Sequence, residues 1–198
     1  RWFFEAVPWL YLVGGNHDWW TGQDGVVGWL LRQAEMQTQW EGVRLAMTFP
    51  SGREIRVNAR HDFRGHSQWN PAHGPAKAAQ MGWRDNILLC GHRHITGYSP
   101  IRDPATGVIS HAIRLGTYKV FDAYAKREGF PDGNFGPACL TVIDPEAMDE
   151  RDLIQVFWGI ERGAEYLTWL RNRWMARGSV SPRNRSKPQR RTRRSQAK

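Results

Sequence analysis

Six of the seven histidines fall between positions 17 and 94, and His17, His61, His92 and His94 stand where an apolar run gives way to polar residues. Strands that end at one edge of a sheet bring such residues together. Imidazole nitrogens with amide or carboxylate oxygens suit Zn, Mn, Fe or Ni, and the lack of a nearby cysteine pair argues against a structural zinc knot. Asn16, beside His17, supplies an amide oxygen. An extended backbone would turn His92 and His94 to opposite faces, whereas a loop can aim each at a different metal. His66 and His73 share a segment with His61, so spacing alone leaves three alternatives for one ligand. His111, inside an apolar run, reads as structural.

The elements that must position these residues follow from the apolar pattern. Residues 7–13 (VPWLYLV) form a short run that ends at Gly14 and Gly15, so a buried strand is expected to stop at the loop GGNHD. Apolar residues at helical spacing predict a helix over 23–37, with Asp24 near its start to suit the dipole. Residues 43–49 and 54–59 alternate around PSG and predict a hairpin. The second strand runs into ARHDFRGHSQWNPAHG, too rich in Gly, Pro, His and Asn for regular structure and of the kind that carries chemistry. A short helix at 72–80 then leads to a strand at 86–90 and the loop GHRH. Further strands are expected at 111–115, 138–143 and 153–158, with a helix at 118–127. Residues 161–176 predict an amphipathic helix burying Ala164, Leu167, Trp169, Leu170 and Trp174 to varying degrees. Trp19 and Trp20 either wall a cleft or pack beneath the GNHD loop.

GNHD at 15–18, a histidine after a strand at His61, and GHRH at 91–94 resemble blocks of the calcineurin-like metallophosphoesterases. The resemblance spans roughly residues 7–115, and the later LGTYKVFDAYAKREGF is similar to phage and bacterial members. It implies an α/β (α+β) fold, a two-sheet β-sandwich flanked by helices. It implies that Asn16, His61 and His92 ligate one metal and His94 the other, with His17 beside the scissile phosphate. Asp18 would shape the loop or orient a histidine. Two divalent ions (Mn, Fe, Zn or Ni), about 3.5 to 4 Å apart, would share a hydroxide that attacks phosphorus in line with the leaving oxygen. A protonated His17 would stabilise or protonate the leaving group.

The chain departs from that family in one large respect. The family's first ligands come from DxH and GDxxD motifs that supply the bridging carboxylate, and no aspartate precedes Asp18. The start at Arg1, close to an apolar strand, reads as that of a fragment, so residues 1–177 are expected to be the C-terminal portion of such a domain. On this reading the chain alone is inactive unless the missing N-terminal half is supplied. The substrate would be a phosphate ester, with phosphatase, phosphodiesterase and nuclease activities left open. The alternative is a non-catalytic, truncated module that binds nucleic acid through its tail.

That tail accounts for the charge. The formal charge is +9, yet residues 171–198 hold 11 Lys or Arg and no acid, leaving 17 basic against 19 acidic residues in 1–170. Residues 178–198 are expected to be a disordered, basic extension, either a nucleic-acid-binding arm or a solvated segment with no partner. It carries no aromatic residue to stack on bases. At 198 residues, 40% hydrophobic and with 11 Trp, the chain has material for one buried core. Cys90 and Cys139 sit in apolar runs and read as small buried thiols. No apolar stretch is long enough to span a bilayer, and the default expectation is a cytoplasmic location.

Overall fold

The computed structural model describes residues 10–21, 25–34, 42–118, 123–129 and 136–179. The strand expected at 7–13 falls partly outside these, as does the start of the helix expected at 118–127; of the tail expected at 178–198, residues 178–179 end a helix and the rest lies outside. The architecture is α+β: a five-stranded mixed sheet, a two-stranded sheet, and helices.

The PSG turn joins β1 (Gly42–Thr48) to β2 (Glu54–Arg60) in an antiparallel hairpin, with Met47 opposite Ile55 and Leu45 opposite Val57. β2 then pairs in parallel with β3 (Ile87–Cys90), and β3 in parallel with β5 (Ile109–Arg114). Parallel neighbours cannot be joined by a tight turn. The chain between β2 and β3 therefore crosses over through α3 (His73–Ala78) and a π-helical turn (Ala79–Trp83). β4 (Gly97–Arg102), absent from the sequence reading, pairs antiparallel to β5 and closes the far edge in the order β1-β2-β3-β5-β4. Pro100 in its middle disguised it. An edge strand tolerates a residue without an N–H, which a central strand does not.

The two faces of this sheet are covered differently. Ile55, Val57, Ile87 and Ile113 pack with Leu153 and Ile154, where α5 (Glu150–Leu153) runs into β7 (Ile154–Phe157). β7 pairs with β6 (Leu140–Ile143), so the small sheet lies over this face. On the other face Leu88 and Cys90 meet Phe63 and Ala79, under the α3 crossover. α3 approaches so closely that a Cβ at Gly74 would lie 2.6 Å from the Phe63 carbonyl oxygen; only glycine fits. Cys90 is buried in this core and its thiol pKa is pushed up to about 11 by burial; Cys139 is half-buried.

Among the described residues two helices precede the hairpin, α1 (Asn16–Thr21) and α2 (Val26–Ala34), and α4 (Ala123–Arg127) follows β5. The expected GGNHD loop is thus a correction: the loop ends at Gly15 and a helix begins at Asn16. α6 (Ile160–Ser179) is longer than the 161–176 reading and buries less of itself. Gly163 is buried against β6 and β7 and Leu170 is also buried, but Ala164 is exposed, and Leu167, Trp169 and Trp174 are 37%, 51% and 51% exposed. Apolar periodicity marked a stripe wider than the narrow two-stranded sheet can cover. Among the described residues no helix is long and apolar enough to cross a membrane.

Candidate metal centre

β2, β3 and β5 run in the same direction and in register, with Arg60 beside Cys90 and Cys90 beside Arg114. Their carboxyl ends form one edge, the place where open parallel sheets usually bind ligands. His61 is the first residue beyond β2 and His92 the second beyond β3. The Gly91 N–H donates to the His61 carbonyl oxygen at 3.2 Å, and the Leu115 N–H to the Cys90 carbonyl oxygen at 2.8 Å, so the ladder continues into the loops.

At this edge three side chains meet. His61 Nε2 lies 2.8 Å from Asn16 Oδ1 and 2.7 Å from His92 Nδ1. The two imidazoles stand edge to face, 4.5 Å apart. Neither His66 nor His73 is part of this contact; His66 lies in the loop after β2 and His73 opens α3. One proton on His61 Nε2 cannot serve both the amide oxygen and the His92 ring, so lone pairs outnumber protons at the meeting point. At metal–ligand distances of about 2.1 Å, adjacent ligands at right angles stand about 3 Å apart, close to the separations here. Burial is the main cause that holds the pKa values of both His61 and His92 below the ordinary histidine range, and mutual repulsion adds to it at His61. The shift favours the neutral ring, the form that ligates metal.

The backbone around the contact is constrained. Gly15 caps α1, and its N–H donates to Asp18 Oδ2 at 2.8 Å, half of a capping box that fixes where Asn16 begins the helix. A Cβ at Gly15 would lie 2.9 Å from His61 Cε1, so the glycine leaves room for the ring. Asp18 is therefore a helix-capping residue next to His61. His92 and His94 both adopt positive φ, 66° and 58°, uncommon for residues with a side chain and a frequent mark of functional loops.

The remaining expected residues stand further out. His94 is exposed in the same loop and is not part of the Asn16–His61–His92 contact. His17 is exposed on α1, packed edge-on against Trp20 with ring centres 4.8 Å apart, and Trp20 is itself largely exposed. His111 is buried on β5 with Nδ1 2.8 Å from the Tyr98 hydroxyl, the structural role expected of it. Among the described residues no group of three or more His, Cys, Asp or Glu side chains is arranged to hold a metal. The cluster has two imidazoles and one amide.

Arg114 and Asp62 were not singled out from the sequence. Arg114 is 2% exposed, and its guanidinium reaches the Pro71 carbonyl oxygen at 2.6 Å, the Gly91 carbonyl oxygen at 2.8 Å and Asp62 Oδ1 at 2.8 Å. Asp62 Oδ2 also accepts from Arg93 at 3.3 Å. One buried cation thus ties the segments that follow β2, precede α3 and follow β3. The available signal was an arginine inside the apolar run HAIRL, since buried arginine is rare unless paired.

No family model, curated protein or solved structure matches this chain.

Proposed function

We propose that this chain is the C-terminal part of a calcineurin-like metallophosphoesterase that hydrolyses phosphate esters, with the sheet and helices described above forming part of the sandwich of that fold. The observation that carries this reading is the meeting of Asn16, His61 and His92 beyond the ends of two adjacent parallel strands. The motif residues GNHD and GHRH lie far apart in sequence, and the fold brings a residue of each to one imidazole.

In this proposal Asn16, His61 and His92 hold one divalent cation and His94 contributes to a second. Bound cations would supply an activated hydroxide and neutralise charge on the phosphoryl oxygens. The protein's own residues do the rest. Gly15 leaves space for His61, and Asp18 fixes the start of α1 and so the direction of Asn16. His17, exposed on α1, is free to approach the leaving oxygen and donate a proton to it. Asp62 is committed to Arg114 and Arg93 and does not bridge two metals. The bridging carboxylate of this reading would come from DxH and GDxxD segments, and activity is conditional on them.

The test is hydrolysis of bis-p-nitrophenyl phosphate with Mn by the chain, alone and joined to such a segment. The joined protein should be active and the chain alone close to inactive. Activity that survives His17→Ala and His92→Ala together would sink the proposal.

A further inference from the structure

On the crossover side of the sheet, next to the edge strand β1, lies an open cavity of about 470 Å³ whose lining includes Arg44, Arg64, Lys77, Met81 and Trp83 and no acid. Its charge is not cancelled locally. Asp85 is fully buried and engaged by Arg44 at 2.8 to 3.1 Å and by Asn58 at 3.0 Å, so it neutralises Arg44 alone. Among the described residues neither Arg64 nor Lys77 has a salt-bridge partner. Trp83, 38% exposed, lies within 4.7 Å of the Arg60 guanidinium and 5.1 Å of that of Arg44. Arg44 and Arg60 share a face of the hairpin, because Arg44 pairs with Asn58, two residues before Arg60. The indole is thus seated on a cationic floor at the rim of a basic cavity.

We propose that this cavity binds a single-stranded nucleic acid, with a base stacked on Trp83 and flanking phosphates on Arg64 and Lys77. Two unpaired cations beside an accessible indole match a ligand that alternates phosphates with aromatic faces. The volume falls within the usual range for a small-ligand pocket, which suits a nucleotide unit. A duplex is excluded by the same feature, because its base faces are already stacked on one another and closed to Trp83. The cavity also adjoins the candidate centre. Arg64 is the third residue after His61, so at most about 10 Å of chain separates them. A strand held in the cavity would bring a neighbouring phosphodiester toward Asn16, His61 and His92, which makes single-stranded nucleic acid the substrate class of the proposed hydrolase. Only that last step rests on the hydrolase reading.

The experiment is fluorescence anisotropy of a labelled oligothymidylate with the full chain in EDTA, across about 50 to 200 mM salt. Trp83→Leu should weaken binding roughly 5- to 100-fold, with most of it restored in Trp83→Phe. Arg64→Gln with Lys77→Gln should lower the slope of log K against log salt by about 1.4, the value for two phosphate contacts on a single strand. Wild-type affinity and slope in these variants would overturn the proposal and assign binding to the basic residues beyond 170. Absence of oligonucleotide binding, or equally good competition by duplex, would also overturn it. Cavity-dependent binding in a joined protein that never hydrolyses bis-p-nitrophenyl phosphate would support the cavity and refute the hydrolase. Hydrolysis without cavity-dependent binding would do the reverse.

Discussion

Replacing Arg114 by Met removes a guanidinium from between three segments while keeping much of its apolar volume. Three acceptors lose this donor, the Pro71 and Gly91 carbonyl oxygens and Asp62 Oδ1, although the Gly91 oxygen keeps the Arg93 N–H. Hydrogen bonds from a charged group contribute about 1.5 to 3 kcal/mol each, so simple addition would give about 4.5 to 9 kcal/mol. Addition overstates the loss, because Asp62 is 22% exposed and keeps Arg93 beside it, so water and a second cation compensate its carboxylate. The cost expected for breaking such a pair is about 3 to 4 kcal/mol, near the lower end of the usual range. For a chain of this size that corresponds to a melting temperature lower by roughly 6 to 15 °C. Arg114→Lys keeps the charge but not the fork, and one ammonium cannot reach three acceptors set in different directions; it should recover less than half. The assay is thermal unfolding followed by circular dichroism, with urea unfolding to check that the slope with denaturant is unchanged. Since Arg114 ties the segments that carry His61 and His92, Mn affinity measured by calorimetry should also fall about 10- to 100-fold. An Arg114→Met protein that melts within about 2 °C of the parent would refute the reasoning.

Gly15→Ala puts a methyl group 2.9 Å from His61 Cε1, so the ring must leave its contacts with Asn16 and His92; Mn affinity should drop about 10-fold with little change in melting, and unchanged affinity would contradict the geometry. Burial lowers the His111 pKa from 6.5 to about 4, so the unfolded state takes up the proton first as the pH falls. Stability from this group is complete above pH 6.5 and lost as the pH drops toward 4, by on the order of 3 kcal/mol. His111→Gln should flatten urea midpoints measured across that window, and a pH dependence equal to the parent's would show that the ring titrates normally. Gly163→Ala drives a Cβ to 2.6 Å from Leu140 Cδ2 and 3.1 Å from Phe157 Cβ, which should cost about 1 to 3 kcal/mol in urea unfolding as α6 is pushed off its sheet.

What could be read in the sequence, and what could not, divides along local and non-local lines. The hairpin, β3, β5, β6 and β7 were legible because each is a short apolar or alternating run bounded by turn residues. β4 was not, because Pro100 breaks its pattern and only its place at the sheet edge makes it acceptable. The start of α1 was missed because GGNHD looks like a loop until Asp18 is seen to cap Gly15. Asn16, His61 and His92 could be nominated from residue type and spacing, yet that His61, rather than His66 or His73, meets Asn16 and His92 needed the register of β2 against β3. Arg114 and Asp62 escaped notice for a related reason: their partners lie 23 to 52 residues away in the chain and no local pattern announces them.

The parallel pairing of β2, β3 and β5 also sets an order of events during synthesis. Neither pairing can zip up from a tight turn, and each waits for a crossover to be completed. A nascent chain ending just beyond His94 already contains Asn16, His61 and His92, but not the arginine that clamps their loops or the strand that covers the exposed edge of β3. Until residue 114 emerges, that edge and the two histidine loops are open to mispairing. Slow translation across 95–114 would prolong the vulnerable interval.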